Sequence, residues 1–363
     1  MDLQELQKNW NELGKTDPLW AILTDPSCRG GKWDVERFFA TGREEIAEVM
    51  QQADALHLPE HRGTALDFGC GVGRLTQALC GWFDRCYGVD IAPSMIDLAR
   101  QYNRAGLKCE YFVNPHPDLR LFPDDQFDLV HSNIVLQHMR PEYSALYIRE
   151  FVRVVRPGGL VIFQIPEGKR PSATPLAPLP DSAFRAGFSG FPLSVEAAAQ
   201  SRIDVPVTVR NLGDCKWPSK GDTERKYAVR LGNHWLTPNG VKAIWDDGRQ
   251  SLPADLEPGA EVRMNLTVTA PNAPGKYVLE LDMLQEAVAW FNQKSSTAVR
   301  IPAEIEPAAP TAQEFTPYME MYGLSRDVVV GIQSSAGARV VDVRPDGFAG
   351  SDWISFKYFA TKP

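Results

Sequence analysis

The chain has 363 residues, 44% of them hydrophobic, enough for packed cores and, at about 150 residues per domain, for two or three domains. Forty-six acidic residues against 38 basic ones leave a formal net charge of −8, which argues against a nucleic-acid partner, since a polyanion is repelled except at a local basic patch. The charged N-terminal residues lack an apolar core of signal-peptide length, and no later run approaches the ~18 apolar residues of a membrane span, so a cytoplasmic protein is expected.

In chain order, residues 1–62 carry helical stripes: Leu3, Leu6, Trp10 and Leu13 form one, and Ile46, Val49 and Met50 another. Between them, residues Trp33 to Gly42 are aromatic and read as irregular. From 64 to 166, strands near 64–69, 86–91, 108–114, 127–133 and 159–166 alternate with helices near 73–81, 93–104 and 141–156. That alternation predicts an α/β fold with a parallel sheet covered on both faces. Pro141 suits the first turn of the last of these helices, and Pro157-Gly158-Gly159 ends it. Arg140, Arg149, Arg153 and Arg156 lie along it at the spacing of a solvated face.

The most informative stretch is Ala65-Leu-Asp-Phe-Gly-Cys-Gly-Val-Gly73, an apolar strand end followed by Gly69, Gly71 and Gly73 and then by Val72, Leu75, Thr76 and Leu79 at helical spacing. Missing side chains let a ligand lie against this backbone, and a helix N-terminus suits a carboxylate. Asp67 is placed to hold an ammonium. A nicotinamide-binding loop has its third glycine five positions after the first, where this chain has Arg74. Asp90 ends the next strand, 17 residues after Gly73, where its carboxylate accepts hydrogen bonds from a ribose. The crevice rule puts the ligand at the carboxyl ends of the first, second and fourth strands, near Gly69, Asp90 and Asn133.

These residues resemble the first motif of class I S-adenosylmethionine-dependent methyltransferases, of the type 11 and type 25 kind. Val89-Asp-Ile-Ala-Pro-Ser-Met95 resembles the second motif, Phe127-Asp-Leu-Val-His-Ser-Asn133 the fourth strand, and Arg156-Pro-Gly-Gly-Leu-Val-Ile162 the turn into the fifth. The resemblance implies S-adenosylmethionine as cofactor, held by Asp67, Gly69, Cys70, Gly71, Gly73, Asp90, Ile91, Met95, Asn114 and Asn133. It also implies an N-terminal lid, with Trp33 and Phe38 as candidate acceptor contacts. Many relatives carry an acidic residue for adenine after the third strand. Here the segment is Asn114-Pro-His-Pro-Asp118, with the Asn114 amide oxygen or Asp118 as substitutes.

After Pro166 the pattern changes. Residues 167–192 and 302–314 are proline-rich and read as linkers. Between them, 193–301 is all strand: Ile203, Val205, Val207 and Val209 alternate with polar residues, as do Val262 to Val268 and Tyr277 to Met283. An Asn211-x-Gly213 turn followed by Trp217 resembles immunoglobulin-like β-sandwich modules. Trp217, Trp235, Trp245 and Trp290 fit either a sandwich core or a sugar-stacking surface. Residues 315–363 read as a helix and two strands. Class I methyltransferases finish that way, so the sandwich is expected to interrupt a seven-stranded Rossmann-like sheet, with 1–62 as the extension and 63–166 as the cofactor-binding part.

Methyl transfer is an in-line displacement in which the protein aligns the acceptor and excludes water. His138, just beyond the fourth strand, is the candidate base, since an imidazole of pKa about 6.5 suits cellular pH. The bland reading is a hydrogen-bonded histidine at a helix entry. Tyr318 and Tyr322 are further acceptor-site candidates. A glycan or other small molecule, methylated on oxygen or nitrogen, is the expected acceptor. The competing reading is an adaptor that only senses the cofactor; a dehydrogenase comes third. The six cysteines show no metal-site spacing and no disulfide framework.

Overall fold

The computed structural model describes residues 1–170, 176–222, 226–294, 296–307, 315 and 317–363. The chain divides into two compact units, one of Met1–Arg170 with Phe315–Pro363 and one of Pro171–Glu314.

Elements of the first unit are numbered in chain order. Helices α1 (Leu3–Thr16), α2 (Pro18–Ile22) and α3 (Val35–Ala55) precede β1 (Thr64–Phe68), α4 (Arg74–Leu79), β2 (Arg85–Asp90), α5 (Pro93–Tyr102), β3 (Cys109–Val113), β4 (Phe127–Ser132), α6 (Pro141–Val154) and β5 (Val155–Lys169). The returning chain adds α7 (Arg326–Ser335), β6 (Arg339–Asp346) and β7 (Trp353–Thr361). The sheet order is β6-β7-β5-β4-β1-β2-β3. β1 to β5 are parallel, and β7 runs antiparallel to both β5 and β6.

This is a Rossmann-like seven-stranded sheet whose strand order reverses between β1 and β4, the place where open α/β sheets bind ligands. The central strands are buried on both faces: every residue of β4 is buried, and so are Leu160 to Ile165 of β5. Such strands read as continuous apolar runs rather than as alternation.

Three expectations change. Residues 35–42 are the first turns of α3, not irregular chain, because Asp34 caps the helix by accepting from the Arg37 N–H at 2.8 Å. The segment 176–192 is not a linker, since Phe184 is fully buried and Ala186–Ser189 pairs as a strand with 208–211. Nor is 302–306, which continues the strand Val299–Glu306; residues 171–175 and 308–314 lie outside the described residues.

The second unit has two sheets around one core. One joins Ala186–Ser189, Arg202–Asn211 and Glu261–Thr269; the other is built on Val229–Leu236, Gly275–Gln285, Val299–Glu306 and Val195–Ala198. Val205, Val207, Val209, Trp217, Trp235, Leu279 and Leu281 meet in its core. The Asn-x-Gly turn closes on itself, Gly213 N–H donating to Asn211 Oδ1 at 2.9 Å, and brings Ala183 to within 2.9 Å of the Trp217 indole N–H. Trp290 is also buried, whereas Trp245 is exposed beneath the Lys242 ammonium, 3.6 Å from its ring centroid.

Candidate functional site

At the carboxyl ends of β1, β2 and β4 the first unit opens into a cleft. Its floor is the glycine loop. Gly69 and Gly71 adopt left-handed φ angles of 73° and 52°. A Cβ on Gly69 would lie 2.3 Å from Val135, and one on Gly71 would lie 2.5 Å from Ile22 of α2. Only glycine fits this bend and keeps the ligand face of the backbone bare.

Asp90 braces the loop from the end of β2. Its carboxylate accepts the Gly71 N–H and the Ala92 N–H, both at 2.9 Å. Burial pushes its pKa up to about 6 against those two donors, and Asp67 adds to the rise. Asp67 lies deeper, 2% exposed, and accepts from the Thr76 hydroxyl at 2.6 Å. Cys70, Ile91 and Met95 complete this part of the wall. Burial pushes the Cys70 thiol well up. Gly73 is off the wall: it caps α4, its N–H donating to Cys70 O at 2.9 Å.

Asn114 lines the cleft, but its side chain closes its own loop. Its amide donates to Asp118 O at 2.7 Å and its oxygen accepts from the His116 N–H at 3.3 Å. Asp118 is paired with Arg120, so both side chains also have partners within their own loop. Asn133, at the end of β4, donates to Glu45 Oε1 at 2.6 Å, while its own amide oxygen is buried without a partner.

His138 faces the cleft from the short turn that follows β4. Its Nδ1 is 2.9 Å from the Glu320 carbonyl and its Nε2 is 3.2 Å from the Gln137 amide nitrogen. Burial lowers its pKa, partly offset by that carbonyl. The Trp10 ring meets the imidazole edge-on, with centroids 5.3 Å apart.

The structure does not bring the other acceptor candidates to the wall. Trp33 and Phe38 pack with each other and with the N-terminal helices, Phe38 fully buried and the Trp33 indole N–H donating to Leu23 O at 3.1 Å. From the N-terminal segment it is instead Leu3, Leu6 and Trp10 of α1 and Ala21 and Ile22 of α2 that line the cleft. Tyr318 and Tyr322 sit on the returning chain and contribute backbone: Tyr318 N–H donates to Asn9 Oδ1 and Tyr322 N–H to Gln137 O, both at 2.7 Å.

Sequence reasoning missed three features. Arg74 and Glu45 form a buried ion pair at 2.8 Å at the cleft wall. Ile134, a β-branched residue at φ 59°, carries a strained backbone in the wall itself. Gln164 is fully buried in β5 and holds the Ile134 N–H at 3.1 Å. The last had a visible signal, a single amide inside the apolar run Leu160 to Ile165.

A glycine loop after the first strand, braced by an acidic residue that ends the second, defines a Rossmann-like fold of the class I methyltransferase kind. Residues 66–163 match the family described as Methyltransferase domain. Over 105 residues the chain is 35% identical to the malonyl-[acyl-carrier protein] O-methyltransferase of Yersinia pestis, covering 29% of this chain and 37% of that protein. It is 32% identical over 99 residues to the ubiquinone biosynthesis O-methyltransferase of Bordetella avium, covering 27% of this chain and 40% of that one. A solved structure of magnesium protoporphyrin IX methyltransferase from Synechocystis PCC 6803, with bound S-adenosylhomocysteine, aligns over 100% of both chains with a TM-score of 0.46 and 12% identity. The chain thus spans less than half the length of these two curated relatives. Residues 66–163 are a methyltransferase domain, and the cofactor of that domain is S-adenosylmethionine.

Proposed function

We propose that the protein transfers the methyl group of S-adenosylmethionine to a hydroxyl oxygen of a small, largely apolar acceptor. The observation that carries this reading is the cradle at the strand-order switch, where Gly69 and Gly71 leave no room for side chains and the Asp90 carboxylate closes the loop. Asp90 would take the ribose hydroxyls; Ile91 and Met95 are placed for the nucleoside, and Asp67 and Asn133 for the amino-acid end. When bound, the cofactor supplies an activated methyl carbon; the residues of this chain align the acceptor with it and keep water out.

His138 is the polar group that faces the acceptor, among apolar neighbours that include Trp10, Val135 and Met139. Such walls favour an apolar or aromatic acceptor over a glycan. Oxygen as the target atom accords with the two relatives, both named as O-methyltransferases. We place the enzyme in the cytoplasm, and read the second unit as an immunoglobulin-like sandwich inserted between β5 and α7.

The experiment is incubation with methyl-labelled S-adenosylmethionine and a host extract divided into small-molecule, polysaccharide and protein fractions. Label entering the small-molecule fraction, and lost in Asp90→Ala, is the expected result. Label in another fraction overturns the acceptor class. Cofactor binding without label in any fraction favours the adaptor.

A further inference from the structure

Two buried glutamines outside the cleft wall connect His138 to the strained backbone at Ile134, and their hydrogen bonds have only one consistent direction. The Ile134 N–H can only donate, so the Gln164 atom 3.1 Å from it is the amide oxygen. The other arm of Gln164 is then its NH2, which donates to Gln137 Oε1 at 3.1 Å and to Ser355 Oγ at 2.7 Å. Ser355 in turn donates to Asp346 Oδ2 at 3.0 Å. With its oxygen engaged, Gln137 turns its own NH2 toward His138 Nε2, 3.2 Å away. On the opposite edge of the ring, Nδ1 lies 2.9 Å from the Glu320 carbonyl, which can only accept. Both ends demand the same imidazole, with hydrogen on Nδ1 and a lone pair on Nε2.

We propose that Gln164 and Gln137 are positioning residues that hold His138 as the neutral Nδ1–H tautomer and reserve Nε2 to accept the hydrogen of the acceptor hydroxyl. The inference rests on the reading above, in which His138 faces the acceptor. In the resting protein the Gln137 amide fills the single Nε2 lone pair at 3.2 Å, so in this proposal the acceptor hydroxyl must displace that amide to reach Nε2. As the hydroxyl oxygen bonds to the methyl carbon, the carbon–sulfur bond breaks with its electron pair left on sulfur, and the hydroxyl proton passes to Nε2 and then to solvent. Between turnovers an imidazolium would set N–H against N–H at Gln137, so the ladder returns the ring to its neutral form.

Among the described residues, the His138 ring is hydrogen-bonded to the Gln137 amide and the Glu320 carbonyl and to no charged side chain. Trp10 covers one side of the ring. The Glu320 carboxylate is turned to the Met1 amino group, 2.6 Å away, and to the Tyr322 hydroxyl, with Arg140 acting on both residues. Asp346 and its neighbour Lys357 stand at the far end of the ladder, beyond Ser355. Asp67 and Asp90 belong to the cofactor end of the cleft, on β1 and β2.

The test is nitrogen NMR of protein labelled with 15N-histidine, with the His138 signals assigned through His138→Gln. Wild type is expected to show the Nδ1–H tautomer and to remain neutral at pH 6. Gln164→Glu keeps the shape and the Ile134 contact but, as a carboxylate, has no hydrogen for Gln137. Its amide then turns, Nε2 gains a hydrogen, and the titration midpoint rises by at least one pH unit. Gln137→Met removes the donor and raises the midpoint less. Ser355→Ala, which leaves the direction of the ladder intact, is the unchanged control. An Nε2–H tautomer in wild type, or no movement in both glutamine variants, overturns the proposal. S-adenosylmethionine affinity, measured on the same samples, reports separately on the cofactor reading: its absence sinks that reading and leaves the tautomer result legible.

Discussion

Asp90 gives the site its pH dependence. Half-buried at the cleft, its carboxylate is pushed up to about 6 mainly by burial, from an ordinary value of 3.8. Ribose hydroxyls donate more strongly to the ionised form, so cofactor affinity is expected to be flat above pH 7 and to fall below pH 6. In the unliganded fold the sign is opposite. A carboxyl whose folded pKa is raised contributes stability below pH 4 that is lost as pH rises through 6. Titration of S-adenosylhomocysteine at several pH values checks the first statement, and Asp90→Asn should abolish the slope. Gly71→Ala would push a methyl group against Ile22 at a left-handed φ; we expect at least a tenfold loss of cofactor affinity, about 1.4 kcal/mol. An unchanged Kd would mean that the loop does not hold the ligand.

At the scale of elements, α3 is tied to α4 by the Glu45–Arg74 pair, with side chains 9% and 4% exposed, and Asn133 of the cleft hangs on the same carboxylate. Removing one partner leaves a buried charge, so Glu45→Ala should cost ~3–5 kcal/mol in urea denaturation. Replacing both partners with apolar residues of similar volume should recover most of that loss. A Glu45→Ala cost under about 0.5 kcal/mol would show that solvent reaches the pair. This pair was illegible in the sequence because its members lie 29 positions apart and neither belongs to a periodic pattern. The sheet was legible for the opposite reason, since its strands are apolar runs bounded by glycine and aspartate. β5 is longer than its apolar run because β7 pairs with it out to Lys169, and a register shift after Phe127↔Val155 absorbs the proline and glycines. Pro302 misled in the other direction. It sits inside a strand, yet the neighbouring strand Val195–Ala198 pairs only from Ala303 onward.

For the whole molecule, the β unit has a core drawn entirely from its own residues, between Leu179 and Ile305. We therefore expect a variant in which 171–314 is replaced by a short glycine–serine linker to keep its cofactor affinity within about threefold, under 1 kcal/mol. Loss of binding with retained helical circular dichroism would show that the β unit completes the site. Composition suggested the two kinds of structure, alternating strands and helices against period-two strands, whereas the boundaries did not follow from proline content. Proline marks a missing donor, and an edge position tolerates that as readily as a linker does.

Calorimetric titration of the purified protein with S-adenosylmethionine, and in parallel with a reduced nicotinamide dinucleotide, is the most direct test of the central reading. One site for S-adenosylmethionine, weakened about 10- to 100-fold in Asp90→Ala, with no heat from the dinucleotide, is the predicted result. Binding of the dinucleotide, or S-adenosylmethionine binding that ignores Asp90, would contradict it.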